Sequence, residues 1–225
     1  MANFPHIEYI DTYNKEVRSV YDDGDYITFY KEEEYFEELE VYNKFIKECE
    51  KVVRKSQHYR IFENWVFNIL GVNYCQVQPG ITSQDATIEM HHGPLFTLYD
   101  YCQIVLEKYL KLHIPITTIS IAREVLRLHF EGCVQVVMVS KTNHEAIHNR
   151  DLFINVKQGI GNLNKFIADY VAYFTEDQRY RIWNYMKICK EVKSFDTGIL
   201  NIDYVKPLLF SMDDNCESNL DGLLG

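Results

Sequence analysis

The sequence predicts an α+β fold, mostly helical, with a small β-hairpin at its centre and helices around it. Three observations predict it. Long segments on both sides of the centre place apolar residues at three- and four-residue steps, the period of a half-buried helix. The period changes only around residues 73–92 and in the β-branched run "CVQVVMVS" at 133–140. And a chain of 225 residues, 47% hydrophobic and 25% charged, can bury a real core.

Residues 1–30 read as irregular chain or short strands with a turn at "DDGD" (22–25). In "KEEEYFEELEVYNKFIKECEKVVRK" (31–55), Tyr35, Leu39, Tyr42, Phe45, Ile46 and Cys49 share one helical face. Acids come early in it and bases late, as the helix dipole favours. "SQHYRIFENWVFNILG" (56–71) repeats the pattern, with Ser56 as cap, Tyr59, Phe62, Trp65, Val66 and Ile69 on the buried face, and Gly71 as stop. "NYCQVQ" and "ATIEMHH" alternate as strands do, with turn residues at 79–85 between them. Gly93-Pro94 ends the second strand. Thr97 and Asp100 form a T-x-x-D capping box for a helix over 97–112. A further helix covers 117–130 and stops at Gly132, and "CVQVVMVS" follows as a buried strand. Ser140 caps a short helix, "KTNHEAIHN". Two more helices lie in 161–174 and 176–192.

Several classes are excluded. No apolar run approaches the roughly 18 residues of a membrane span. The first residues lack the basic start and apolar stretch of a signal peptide, so a cytoplasmic location is expected. None of the six cysteines forms a C-x-x-C pair, so free thiols, several of them buried, are expected. The net charge of −10 argues against a protein that simply coats nucleic acid. That charge is uneven. Residues 1–56 carry 14 acids and 8 bases, residues 141–206 carry 8 acids and 10 bases, and residues 207–225 carry four acids and no base.

The histidines carry the chemistry. Six of eight fall between residues 91 and 148, where an even spread would put about two. His144 and His148 are four apart, which on a helix places both imidazoles on one face, close enough to share a metal. His91 and His92 end a strand. The order is a strand with His-His, a second strand, then a helix with H-x-x-x-H.

This order, in "IEMHHGPLF" and "VVMVSKTNHEAIHN", resembles the ββα-metal (His-Me finger) fold of HNH endonucleases common in large phage genomes. The resemblance covers roughly residues 60–170. It implies a metal-dependent nuclease that hydrolyses DNA phosphodiester bonds. His92 is then the general base that activates water. His91, His144 and His148 hold one divalent metal ion, of which Zn, Ni, Mn and Mg are the candidates. His129 takes the place of the family's middle residue, which braces the loop before the second strand, with Gln135 as the alternative. The residues between His92 and His144, 93–143, number 51, far more than in a compact HNH motif, and the helices over 97–130 read as an insertion. An inactive binding module with a structural ion, docked to replication or transcription machinery, is the competing expectation.

The chain thus divides into an acidic N-terminal segment (1–56), an HNH-like core (57–174), a C-terminal helical extension (175–206) and an acidic tail (207–225). Arg179, Arg181, Lys187 and Lys190 of the extension are the expected contacts to a DNA backbone. Glu89 shares a strand face with His91 and reads as a solvated glutamate or as a carboxylate that orients a histidine. The leucines of "SNLDGLLG" among acids suggest a terminal peptide that docks in a partner protein, as clamp-binding tails do.

Overall fold

The computed structural model describes residues 8–10, 17–19 and 30–199. Strands β1 (Glu8–Ile10) and β2 (Val17–Ser19) pair antiparallel. Helices α1 (Leu39–Lys55) and α2 (Gln57–Asn64) follow, then β3 (Ile88–His92), α3 (Leu98–Lys111) and α4 (Thr118–Phe130). β4 (Val136–Ser140) leads directly into α5 (Lys141–His148), and α6 (Leu163–Tyr170) and α7 (Glu176–Glu191) are the last helices among the described residues. The fold is therefore α+β and mostly helical, as the sequence predicts. No helix among the described residues is long and apolar enough to cross a membrane. The turn at 22–25 and the acidic tail lie outside the described residues.

The helix starts are written in side chains. Thr97 accepts from the Asp100 N–H, and Asp100 accepts back from the Thr97 N–H at 2.8 Å. Each bond satisfies a backbone donor that the first helical turn leaves without a partner. Ser56 caps α2 and Ser140 caps α5 in the same way.

The main core lies between α1, α3 and α4, with Phe62, Tyr101, Ile104, Ile121 and Leu128 fully covered. α3 and α4 are therefore central to the protein, although the sequence presented them as an insertion. Two predicted faces differ from what forms. Residues 33–36 make a short 3-10 turn and α1 starts only at Leu39, so the register breaks between them. Phe36 turns inward, while Tyr35 and Leu39 stay exposed. After α2 the chain widens into one π turn over Trp65–Ile69, closed by the Leu70 N–H on the Trp65 carbonyl at 2.8 Å. The wider turn rotates Ile69 out to solvent, at 68% exposure.

β3 and β4 form an antiparallel pair with His91 opposite Val137 and His92 opposite Val136. Residues 73–78, expected as a strand, do not form one. Gln76 is the residue of that stretch that bonds β4: its N–H donates to the Met138 carbonyl, and its side-chain Oε1 accepts from the Met138 N–H, both at 2.8 Å. One glutamine thus covers part of the β4 edge without a strand. Alternation then sorts the two strands into faces. Met90, His92, Val136 and Met138 are buried on the side of the main core. Val137 and Val139 face a smaller apolar cluster with Cys75 and Ile154. Glu89 and His91 share that second face, the side on which α5 packs.

Candidate metal centre

The β3–β4 hairpin and α5 bring three of the predicted histidines together. His91 projects from β3, and His144 and His148 from one face of α5. One nitrogen from each ring lies within 4.8 Å of the others, the one such group of metal-ligating side chains among the described residues. The Nε2 atoms of His144 and His148 are 3.1 Å apart. Two imidazole nitrogens bound tetrahedrally to one ion at 2.0–2.1 Å stand about 3.3 Å apart, so this pair fits a shared ion. The ring centroid of His91 is 5.0 Å from that of His144 and 5.3 Å from that of His148.

Glu89 fixes one ring. Its Oε2 accepts from Nδ1 of His144 at 2.6 Å. A carboxylate there holds the proton on Nδ1 and leaves the Nε2 lone pair facing the other histidines. The orienting role was one of two readings of Glu89 in the sequence, and the geometry matches that one. Nearby, on α2, Glu63 is raised by partial desolvation, which Arg54 opposes and the Glu89 carboxylate reinforces. Asn143 anchors α5 by donating to Gln78 Oε1 at 3.0 Å and to Cys75 Sγ at 3.2 Å. Burial, with the neighbouring His144 and His148 adding to it, lowers His91 to about 4. Its ring is therefore neutral at physiological pH, the form that a cation requires.

His92 is placed elsewhere. It is 4% exposed and points into the main core, where its Nε2 lies 3.0 Å from Nε2 of His129. His129 Nδ1 donates to the Val125 carbonyl of its own helix at 2.7 Å. A carbonyl only accepts, so the His129 proton sits on Nδ1 and its Nε2 accepts from His92 Nε2–H. That leaves His92 Nδ1 bare, buried and without a partner. Tyr59 stacks on the His92 ring, and Phe62 meets His129 edge-on. Burial holds His92 well below its ordinary pKa and His129 at about 4. A general base must reach water, and this pair does not. The roles that the resemblance implied for His92 and His129 thus do not fit their places. Gln135, the alternative, donates to the carbonyl of Val156 at 3.0 Å, in a 3-10 turn beyond α5 and not in the loop before β4.

The four predicted basic residues divide. Arg181 pairs with the buried Asp100 of α3, and Arg179 donates to the carbonyls of Phe174 and Val171. Both guanidinium groups are engaged inside the chain. Lys187 and Lys190 are exposed. The cysteines at 49, 75, 102, 133 and 189 are buried free thiols, as expected.

Residues 5–211 match the family of bacteriophage G278-like virion proteins. The chain belongs to that family. The match spans most of the sequence, so the hairpin, α5 and the helices around them all lie within it. It makes this a phage protein and points to the virion. No curated protein and no solved structure matches the chain.

Proposed function

We propose that this G278-like protein carries a divalent metal ion on His91, His144 and His148 and uses it to hydrolyse phosphodiester bonds of nucleic acid. The carrying observation is the donor set: three imidazoles on a strand and a helix, two of their nitrogens 3.1 Å apart, at a surface where His148 is exposed. Three protein ligands leave positions open for water and phosphate, whereas a structural ion is closed by four. The strand–strand–helix order is that of the HNH proteins that the sequence resembles.

The chain's own residues divide the work. Glu89 holds the His144 ring in the tautomer that offers Nε2. His91 reaches the site from the opposite strand, so hairpin and helix clamp the ion between them. His92 is inside the core, so no histidine of the pair at 91–92 is left to take the water's proton. A zinc-like ion held there would bring the pKa of its water toward 7, so that bulk solvent could take the proton, and would polarise the phosphate.

A second reading rests on that same burial of His92. Without an exposed imidazole base the ion would serve only to lock α5 onto the hairpin, and the protein would be a structural part of the virion. The two readings separate in one experiment. Full-length protein is incubated with supercoiled plasmid and single-stranded DNA plus Mg, Mn, Ni or Zn, and bound metal is measured beside it. Hydrolysis that His144→Ala abolishes supports the nuclease. Tight binding of one ion, a raised Tm and no cleavage with any ion favour the structural reading. No metal bound by wild type overturns both.

A further inference from the structure

α7 presents a face that the hydrolysis reading does not use. Tyr180 and Trp183 are 67% and 64% exposed, although large aromatic rings are rarely left so open. Tyr180, Trp183, Lys187 and Lys190 follow each other at steps of three and four, so they form one stripe about 15 Å long. The Lys187 ammonium stands 5.8 Å from the Trp183 ring centroid. At its C-terminal end the stripe runs into a cleft of about 670 Å³, where Lys190 is joined by Lys157, Lys193 and Ser194. Between residues 179 and 193 the chain has five bases (Arg179, Arg181, Lys187, Lys190, Lys193) and one acid, Glu191, within a protein of net charge −10. Arg179 and Arg181 are occupied by their own chain, so three exposed lysines against the one exposed acid, Glu191, set the outward charge here.

From these residues we infer that the α7 stripe binds single-stranded nucleic acid. Bases stack on Trp183 and Tyr180, and the phosphates that follow lie along Lys187 and Lys190 into the lysine-lined cleft. Exposed aromatic rings alternating with cations are what a single strand recognises, because every base has a π face and every linkage a negative charge. A duplex keeps its bases stacked on each other and offers such rings nothing but its ends. The stripe is long enough for two or three nucleotides of extended strand. An acidic protein partner would meet the lysines but would have no use for two bare rings in line with them. The inference goes beyond the histidine centre and stands without it.

The fluorescence of the protein itself provides the test. The chain has two tryptophans, and Trp65 is 7% exposed while Trp183 is open, so a stacking ligand reports through Trp183. Full-length protein is titrated with a short oligothymidylate and with a hairpin duplex of the same length. EDTA is present throughout, so no metal-dependent cleavage can intervene. The expected result is quenching by the single strand alone, weakened by salt. Trp183→Ala should lower affinity, followed by anisotropy of a labelled strand, by roughly 5- to 150-fold, the range that loss of one base stack produces. Lys187→Glu with Lys190→Glu should weaken binding and flatten its salt dependence. Both substitutions are at exposed positions and leave the core untouched. The inference is overturned by no quenching at low salt, by duplex binding as tight as single-strand binding, or by tryptophan emission that follows protein concentration through self-association. Binding in EDTA without cleavage in metal would sink the nuclease and keep the stripe. Cleavage with no quenching would do the reverse.

Discussion

His91 and His92 are neighbours on one strand and have opposite surroundings. His91 looks toward α5 and meets two more imidazoles at the surface. His92 looks into the core and meets one imidazole and the ring of Tyr59. The period of two along a strand is the whole cause. The difference teaches that a histidine pair on a strand is not one site but two half-sites. One can be open for a ligand only if the other is satisfied by the fold. Here His129 meets one nitrogen of the inner ring, through a bond that needs the accepting His129 ring neutral.

The largest effect should come from setting one substitution on each face side by side. His144→Ala removes a metal ligand from a partly exposed position. We expect a loss of metal affinity beyond the 10- to 100-fold that losing an outer-shell partner typically costs, and little change in the stability of the metal-free protein. His92→Ala should do the opposite. It removes a buried ring stacked on Tyr59 and strands His129 Nε2, so about 3 kcal/mol of stability should go. For a chain of this size that lowers Tm by roughly 10 °C. Isothermal titration and calorimetric melts of both variants would check this. If His92→Ala lost metal binding at unchanged Tm, the two-faced description of β3 would be broken.

Acid should separate the faces next. His129 has a folded pKa of about 4, below the ordinary 6.5, because burial disfavours its charged form. The unfolded chain therefore binds a proton that the native state refuses between these values. Stability from this group is complete above about pH 6.5 and falls as pH drops toward 4. The loss at pH 4 should approach 3 kcal/mol for His129 alone, since each pKa unit is about 1.4 kcal/mol. His92, shifted in the same direction, adds to it. Urea melts across that pH window provide the measurement. His129→Leu should flatten the pH profile, and a profile as steep as wild type would mean that other groups drive it.

How much of this could be read in the sequence follows the same division. The helix starts at Thr97, Ser56 and Ser140 were legible because a cap is local chemistry. The cluster of His91, His144 and His148 was legible because four-residue spacing on a helix and a strand-end histidine are strong geometric signals. The fate of His92 was not. It depends on His129, which is 37 residues away and comes to it only through the packing of α4. Alternation gave the warning, since adjacent strand residues face apart, but the resemblance argued for a role on the open side. Residues 73–78 had the pattern of a strand and lost it because one residue, Gln76, bonds Met138 of β4 through its backbone N–H and its side-chain oxygen, where a strand would use backbone groups alone. The exposed turn of α7 was read by its charges alone. Its aromatic residues at matching steps were the missed signal.

Glu89→Gln should give a smaller effect and sharpen the description of the outer face. The amide keeps the size of the carboxylate but loses its charge and its strict preference for accepting a proton. Metal affinity should fall by roughly 10-fold, at the low end for an outer-shell partner. Stability should change by less than about 1 kcal/mol, because the pair is partly exposed and screened. Unchanged metal affinity would mean that α5 alone sets the His144 ring.

Gly93→Ala should give the smallest effect on metal affinity. Gly93 follows the histidine pair, and a Cβ there would lie 3.1 Å from Cδ2 and Nε2 of the His91 ring. That is tighter than an ordinary contact, so the ring must give by a few tenths of an ångström. No core side chain meets that Cβ, but Gly93 has φ +158°, a conformation that L side chains rarely adopt, so the variant also carries backbone strain of about 1–3 kcal/mol. Metal affinity should therefore fall by less than the roughly 10-fold expected for Glu89→Gln, since all three ligands and their outer-shell partner remain. A core that stays intact while the site loosens is what a two-faced strand predicts. Should Gly93→Ala instead weaken metal binding as far as His144→Ala does, the turn after β3 would set the site, and the outer face would not rest on its own ligands.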